Sequence, residues 1–232
     1  MIKNNIGENL LRYSLKNHKF VCFDAETENL NLSINNKPWE LGYVIIQNGE
    51  IVEEHNRKIW WDDLNISEDA ARITRFNYDD YKREAEPAEE VLRDFEKILY
   101  NKNYLNLSYN GLNFDVYIHN LFRQKLGLKP DWSFMSRSID VLSLARAWRL
   151  NMSPPDTLEK FVCWQISLAN YLNDDRLRKD RKTKSCALGT LSRELGIHVQ
   201  GDNWHSGLYD VKVTWEVFKK FVWGMEIQDV WR

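Results

Sequence analysis

The sequence predicts an α/β fold, with a mixed central sheet flanked by helices. Three observations carry this. The apolar run Phe20-Val21-Cys22-Phe23 stops abruptly at an acid, Asp24, as a buried central strand does at its mouth. Two longer apolar runs follow, divided by Gln47-Asn48-Gly49-Glu50, and Asn-Gly between such runs is a strong hairpin signal. Beyond them, short strand-like runs alternate with segments of helical spacing, which is the pattern of a sheet covered by helices.

Taken in order, Leu41 to Ile46 and Ile51 to Trp60 are the two arms of the hairpin. With the first strand they give three sequential strands, antiparallel to one another. Ser67, ahead of Glu68-Asp69-Ala70, is placed to cap a helix. From Pro87 to Tyr100, apolar residues fall at Val91, Leu92, Phe95, Ile98 and Leu99, a helical period with proline in the first turn. Tyr104 to Tyr109 is a short buried strand. Phe114 to Leu126 is a helix stopped by Gly127 and Pro130, and Ile139 to Leu142 a further strand before a helical turn or two to Leu150. Met152-Ser-Pro-Pro-Asp marks a loop, and Thr157 to Leu172 is helical. Asn173 to Ser185 is strongly basic, with Arg176, Arg178, Lys179, Arg181, Lys182 and Lys184. Leu188 to Leu195 is a short helix closed by Gly196, and Gly207 to Trp223 a long final one. The 232 residues read as one domain, 1–232, with a basic, helical insertion at about 151–186.

Composition excludes some partners. The 32 basic and 34 acidic residues leave a net charge of −2, unlike a protein that coats duplex DNA. Aromatic residues make up 13%, with ten Trp, enough for a large core and for stacking on single strands. Cys22, Cys163 and Cys186 show no metal-ligand spacing, so buried, reduced thiols in a cytoplasmic protein are expected. No stretch approaches the ~18 apolar residues of a membrane span, so no membrane partner is expected.

The chemistry is carried by acids. Asp24 and Glu26 stand at i and i+2 on a strand, so both point to one face. Asp115 opens a helix after the turn Tyr109-Asn110-Gly111, and Asp210 lies within the last helix, five positions after His205. Singly, each has a bland explanation. Asp-x-Glu recurs by chance among 34 acids, an Asp near a helix start is stabilised by the helix dipole, and a lone histidine is usually structural. His18, His55, His119 and His198 have no such setting and are assigned no chemistry.

Together, three segments resemble the histidine-bearing branch of the DEDD superfamily of 3′–5′ exonucleases. This DnaQ-like, RNase H-like family includes the proofreading subunit of bacterial replicative polymerase, oligoribonuclease and exonuclease I. The segments are Val21-Cys-Phe-Asp-Ala-Glu-Thr27, Tyr109-Asn-Gly-Leu-Asn-Phe-Asp115, whose wording is most like exonuclease I, and His205-Ser-Gly-Leu-Tyr-Asp-Val-Lys-Val-Thr214. Leu188 to Ile197 is similar to the helix that precedes the third motif, and Ile139-Asp140-Val141 to a strand between the second and third. Glu28-Asn29 stands where Thr-Gly is common, Asn being tolerant of the left-handed backbone glycine would supply. Gly207 and Tyr209 replace small alanines.

The resemblance implies an RNase H-like fold and a site of two Mg2+ (or Mn2+) ions. Asp24, Glu26, Asp115 and Asp210 would hold these ions, with Asp24 bridging. His205 would act as general base, since imidazole ordinarily titrates near 6.5. Leu30 would wedge against the terminal base. Thr27, Asn110, Phe114 and Tyr209 would line the substrate pocket, with Tyr109 as a further candidate wall, and Trp60-Trp61 is read as structural. The implied reaction is 3′–5′ hydrolysis of single-stranded DNA to 5′-mononucleotides. RNA trimming, a proofreading subunit bound to a polymerase or other protein, and a non-catalytic nucleic-acid-binding module stand as alternatives. Sugar choice rests on contacts to a 2′-hydroxyl, which the sequence does not specify.

Overall fold

A computed structural model of the chain describes residues 18–150, 152, 155, 158–169, 185–198 and 204–222. The basic run Arg176 to Lys184 lies outside the described residues. Six strands form one sheet: β1 (Lys19–Thr27), β2 (Pro38–Gln47), β3 (Glu50–Trp60), β4 (Glu86–Pro87), β5 (Tyr104–Ser108) and β6 (Ser138–Asp140). Their order is β4-β3-β2-β1-β5-β6. The first three run antiparallel, whereas β5 joins β1 and β6 joins β5 in parallel. The sheet is therefore mixed, as expected. The hairpin turns at Asn48 and Gly49, both left-handed with φ of 54° and 84°. That conformation is what the Asn-Gly pair is suited to adopt.

Eight helices are described: α1 (Glu68–Thr74), α2 (Tyr78–Glu84), α3 (Ala88–Leu99), α4 (Asp115–Lys125), α5 (Val141–Leu150), α6 (Leu158–Ala169), α7 (Leu188–Glu194) and α8 (Gly207–Val222). Ser67 caps α1 by accepting the Ala70 amide, as its position predicts. The strand β6 is shorter than predicted. Asp140 ends it and takes the Ser143 amide as the cap of α5, so Val141 and Leu142 are helical. A carboxylate cap satisfies an amide that the helix leaves open, which outweighs the β preference of Val141. The two-residue β4 had no periodic signal to announce it.

The pleat of β1 divides the core. Phe20 and Cys22 face one way, against α5 and α8, in a cluster with Val44, Leu144, Val211 and Phe218. Val21 and Phe23 face the other way, against Val91, Leu92 and Phe95 of α3 and Val116 of α4. All four β1 residues are at most 2% exposed. Burying a side chain of this size stabilises by about 1.5–3 kcal/mol, so β1 is anchored from both faces. Of the thiols only Cys22 is buried. Cys163 is exposed and Cys186 half-buried, which corrects the expectation of three buried thiols. Their helix and loop lie at the periphery of the sheet, where an apolar residue need not be covered. Among the described residues, no helix is long and apolar enough to cross a membrane.

Candidate active site

By alternation, Asp24 and Glu26 continue the face of Phe20 and Cys22, the face that α8 covers. The N-terminal turn of α8 comes down on them. That approach is possible because Gly42, paired with Asp24 across the sheet, has no side chain. A Cβ there would lie 2.1 Å from the Gly207 carbonyl carbon and 2.2 Å from the Leu208 nitrogen. The Gly207 amide donates to Glu40 Oε1 at 2.9 Å, so a carboxylate of β2 satisfies the first open amide of the helix. Asp210 therefore sits in the first turn of α8, which starts at Gly207 as expected. A carboxylate in that turn is favoured by the helix dipole.

The result is a compact set of oxygens. One carboxylate oxygen each from Asp24, Glu26 and Asp210 lies within 4.8 Å of the others. Asp115, the first residue of α4, is buried and accepts the Ala25 amide of β1 at 3.0 Å. It thus ties the second motif to the strand that carries the first. His205 is half a turn ahead of α8, exposed, and holds a left-handed backbone with φ of 65°. A non-glycine residue in that conformation is strained, and such residues gather at functional sites.

The electrostatics of the set are unfavourable without a counter-charge. Burial, then the neighbouring Asp115, Glu26, Asp210 and Glu40, push the Asp24 carboxyl well above the usual range. Glu26 is pushed up to about 8 by burial and by Glu40, Asp210 and Asp115. Asp210 rises to about 7 through burial and Glu40, against a lowering pull from the His205 backbone amide. Asp115 also rises to about 7 through burial, although the amides of Ala25 and Asp115 itself pull it down. Asp210 Oδ1 is buried with no hydrogen-bond partner among the described residues. An all-oxygen donor set, crowded with like charge and holding an unsatisfied carboxylate oxygen, fits a hard divalent cation such as Mg2+ or Mn2+.

Two contributors escaped the sequence reading. Glu40 is 5% exposed, pairs with Glu26 across β1 and β2, and is raised by burial. The Gly207 amide, the Asn56 side chain, Lys58 and Ser206 offset that shift in part. Only the strand register shows that it joins the site. Asp140 is fully buried and accepts the amides of Asn110 and Leu112 at 3.2 and 3.1 Å, holding the turn that delivers Asp115. An acid between a strand and an apolar helical run was the available signal for it.

The expected substrate residues are more scattered in character. Leu30 is 86% exposed, an unusual state for leucine. Thr27 is buried, and its hydroxyl donates to the Asn29 carbonyl at 2.5 Å. Asn110 has a left-handed backbone with φ of 66°, and its side-chain oxygen accepts from Asn113. Asn29 is not among the left-handed residues, so the conformation expected there occurs instead at Asn110. The reason is local: the Asn36 side chain ties the β1–β2 connection by donating to the Asn29 and Asn31 carbonyls. Phe114 is half-buried directly before α4, and Tyr209 packs edge-on to Trp204, ring centres 5.0 Å apart. Tyr109 packs on the core and donates to the Cys186 carbonyl, which marks it as structural. Trp60 stacks on Tyr81, and the Trp61 indole donates to the Pro38 carbonyl, as structural residues do.

A sheet with helices on its faces and carboxylates gathered at the mouth of its central strand defines the RNase H-like class of α/β proteins. The family model described as Exonuclease (RNase T) matches residues 21–218, and the chain belongs to that family. Solved structures agree on the fold. Exonuclease I of E. coli, in the zinc-bound form with single-stranded DNA, is 17% identical with a TM-score of 0.66, covering 92% of this chain and 42% of that one. Its complex with a dA16 oligonucleotide is 16% identical with a TM-score of 0.67, covering 92% and 43%. Its complex with a dT13 oligonucleotide is 15% identical with a TM-score of 0.66, again over 92% and 43%. The chain thus spans less than half the length of the exonuclease I chains it matches. No curated protein sequence is significantly similar to it.

Proposed function

We propose that the chain is a divalent-metal-dependent 3′–5′ exonuclease that hydrolyses single-stranded DNA to 5′-mononucleotides. The observation that carries this reading is the set of Asp24, Glu26 and Asp210 oxygens within 4.8 Å of one another, in a chain of the exonuclease family. These three side chains would hold the Mg2+ or Mn2+ ions. Asp115 would act through water, since one of its oxygens is committed to the Ala25 amide. Bound there, the cations would neutralise the carboxylates and the charge that builds on the phosphate.

His205 accepts a proton from the attacking water, for which its exposed position beside the α8 turn leaves access. Water oxygen bonds to phosphorus and the bond from phosphorus to the 3′-oxygen breaks. That oxygen takes up a proton and becomes the new 3′-end, and the released nucleotide keeps the 5′-phosphate. Leu30, exposed near the start of the β1–β2 connection, wedges against the terminal base, with Thr27, Asn110, Phe114 and Tyr209 around the nucleotide. The chain forms one exonuclease domain, in which residues 151–186 are an insertion. The likeness to exonuclease I, solved in complex with dT13 and dA16 oligonucleotides, supports DNA over RNA as the substrate of this chain.

Digestion of 5′- and 3′-labelled single-stranded DNA and RNA, with Mg2+ or Mn2+, tests this. The expected result is stepwise release of mononucleotides from the 3′-end, abolished in Asp24→Ala and severely reduced in His205→Ala. Internal cuts, release from the 5′-end, or full activity in Asp24→Ala would sink the reading. Equal or better digestion of RNA would move the substrate to RNA, and full activity in His205→Ala would remove that residue as the base.

A further inference from the structure

We propose that a pocket beside the carboxylates receives a nucleobase of the strand upstream of the scissile phosphate. This rests on the exonuclease reading above and deepens it. Register places the pocket. Glu26, Glu40 and Lys58 pair successively across β1, β2 and β3 and so share one face of the sheet. Adjacent strands lie about 4.8 Å apart, so Lys58 stands roughly 10 Å from Glu26. At a rise of roughly 3.4 Å for each stacked nucleotide, that is a reach of about three nucleotides or fewer.

Glu40 and Lys58 line a cavity of about 210 Å³. Trp39, Phe76 and Trp204 supply aromatic walls, and Asn56, Lys58 and Asp80 supply polar groups. Trp39 and Phe76 meet edge to face, ring centres 4.9 Å apart and planes at 80°. Trp204 is braced edge-on by Tyr209. Glu40 and Ser206 close the side nearest the carboxylates, and Ser206 adjoins His205. The same Glu40 accepts the amide that starts α8.

The lining selects among ligands. The charged groups of the lining balance and are already engaged: Glu40 accepts the Gly207 amide, Asp80 pairs with Arg83, Lys58 pairs with Glu84, and Arg75 is a second cation with a partner of its own. A neutral heterocycle needs no uncommitted charge. Its faces can pack on Phe76 and Trp204, which are half-buried where Trp39 is covered, and its edge carries donors and acceptors to match the Asn56 amide and the acids. Stacking of this kind tolerates every base, which suits an enzyme that must pass any sequence.

The test compares two substrates in the full chain. The p-nitrophenyl ester of thymidine 5′-monophosphate offers only a terminal nucleotide, while a dT10 oligonucleotide also offers upstream bases. Phe76→Leu is expected to lower kcat/KM for the oligonucleotide about tenfold relative to that for the ester, the loss of one stacking contact. An unchanged ratio overturns the subsite. If Phe76→Leu does not fold, photocrosslinking keeps the question open to refutation. An Asp24→Asn chain is irradiated with oligonucleotides carrying 5-iodouracil at each of the first four positions from the 3′-end. Crosslinks to Phe76 or Trp204 from one internal position support the pocket, and crosslinks confined to other residues overturn it. A wild-type chain that cleaves neither substrate would instead refute the exonuclease reading itself.

Discussion

Replacing Asp210 by Asn should abolish hydrolysis and yet stabilise the metal-free chain at alkaline pH. In the folded state the Asp210 carboxyl is held near 7, against 3.8 for an ordinary aspartate. Between those values the folded chain binds more protons than the unfolded chain, so stability falls as pH rises through the window. Each pH unit is worth 1.36 kcal/mol, so the penalty approaches about 4 kcal/mol at pH 8 and about 1.5 kcal/mol at pH 5. Asp210→Asn removes it. These figures are ceilings, because solvent screens a half-buried carboxylate and its neighbours share the released strain. Half the ceiling at pH 8 is about 2 kcal/mol, which is about 4–8 °C in Tm for a domain of this size. Thermal melts in EDTA at pH 5 and pH 8 measure it. The expected result is an Asp210→Asn chain that melts higher at pH 8, with under half that gain at pH 5. Adding Mg2+ or Mn2+ should then raise the wild-type Tm at pH 8, and raise the variant less, because a cation stabilises the state that binds it. A variant less stable than wild type at pH 8 in EDTA, or a gain independent of pH, would refute the argument from crowded carboxylates.

Three further outcomes follow from the same packing. Glu40→Ala strands the buried Gly207 amide and should cost about 1–3 kcal/mol in urea unfolding. Glu40→Gln keeps an acceptor and should cost much less, so equal losses would assign the effect to charge instead. Gly42→Ala drives a methyl into the backbone of α8, and should lower stability by about 3 kcal/mol or more and weaken Mn2+ binding measured by calorimetry. An unchanged Tm would show that α8 can shift freely. Leu30→Ala alters a side chain that is 86% exposed, so stability should stay within about 0.5 kcal/mol while KM for single-stranded DNA rises several-fold. An unchanged KM would remove Leu30 from the substrate path.

Much of the fold was legible because its signals are local. The apolar run Phe20 to Phe23 ends at its acids, Asn48-Gly49 adopts the left-handed turn that joins β2 to β3, and Ser67 caps α1. Each depends on residues a few positions apart, which a linear reading resolves. The Asp-x-Glu pair was legible for the same reason, since alternation along one strand puts both carboxylates on one face. The boundary at Asp140 was misread because a local side-chain cap outweighs the β preference of Val141, so Val141 and Leu142 are helical. The start of the last helix at Gly207 was legible, whereas its anchor, the Glu40 carboxylate of β2, was not.

The sequence by itself determined the class of fold, the strand that carries Asp24 and Glu26, and the residue types a metal site needs. Only the tertiary structure decided how those groups meet. Gly42 lets α8 close on the sheet, Glu40 enters the carboxylate set across one strand pair, and Trp39, Phe76 and Trp204 enclose a cavity beside it. The physical reason is that repulsion, desolvation and close approach act through space, between residues as far apart in the chain as Glu40 and Gly207.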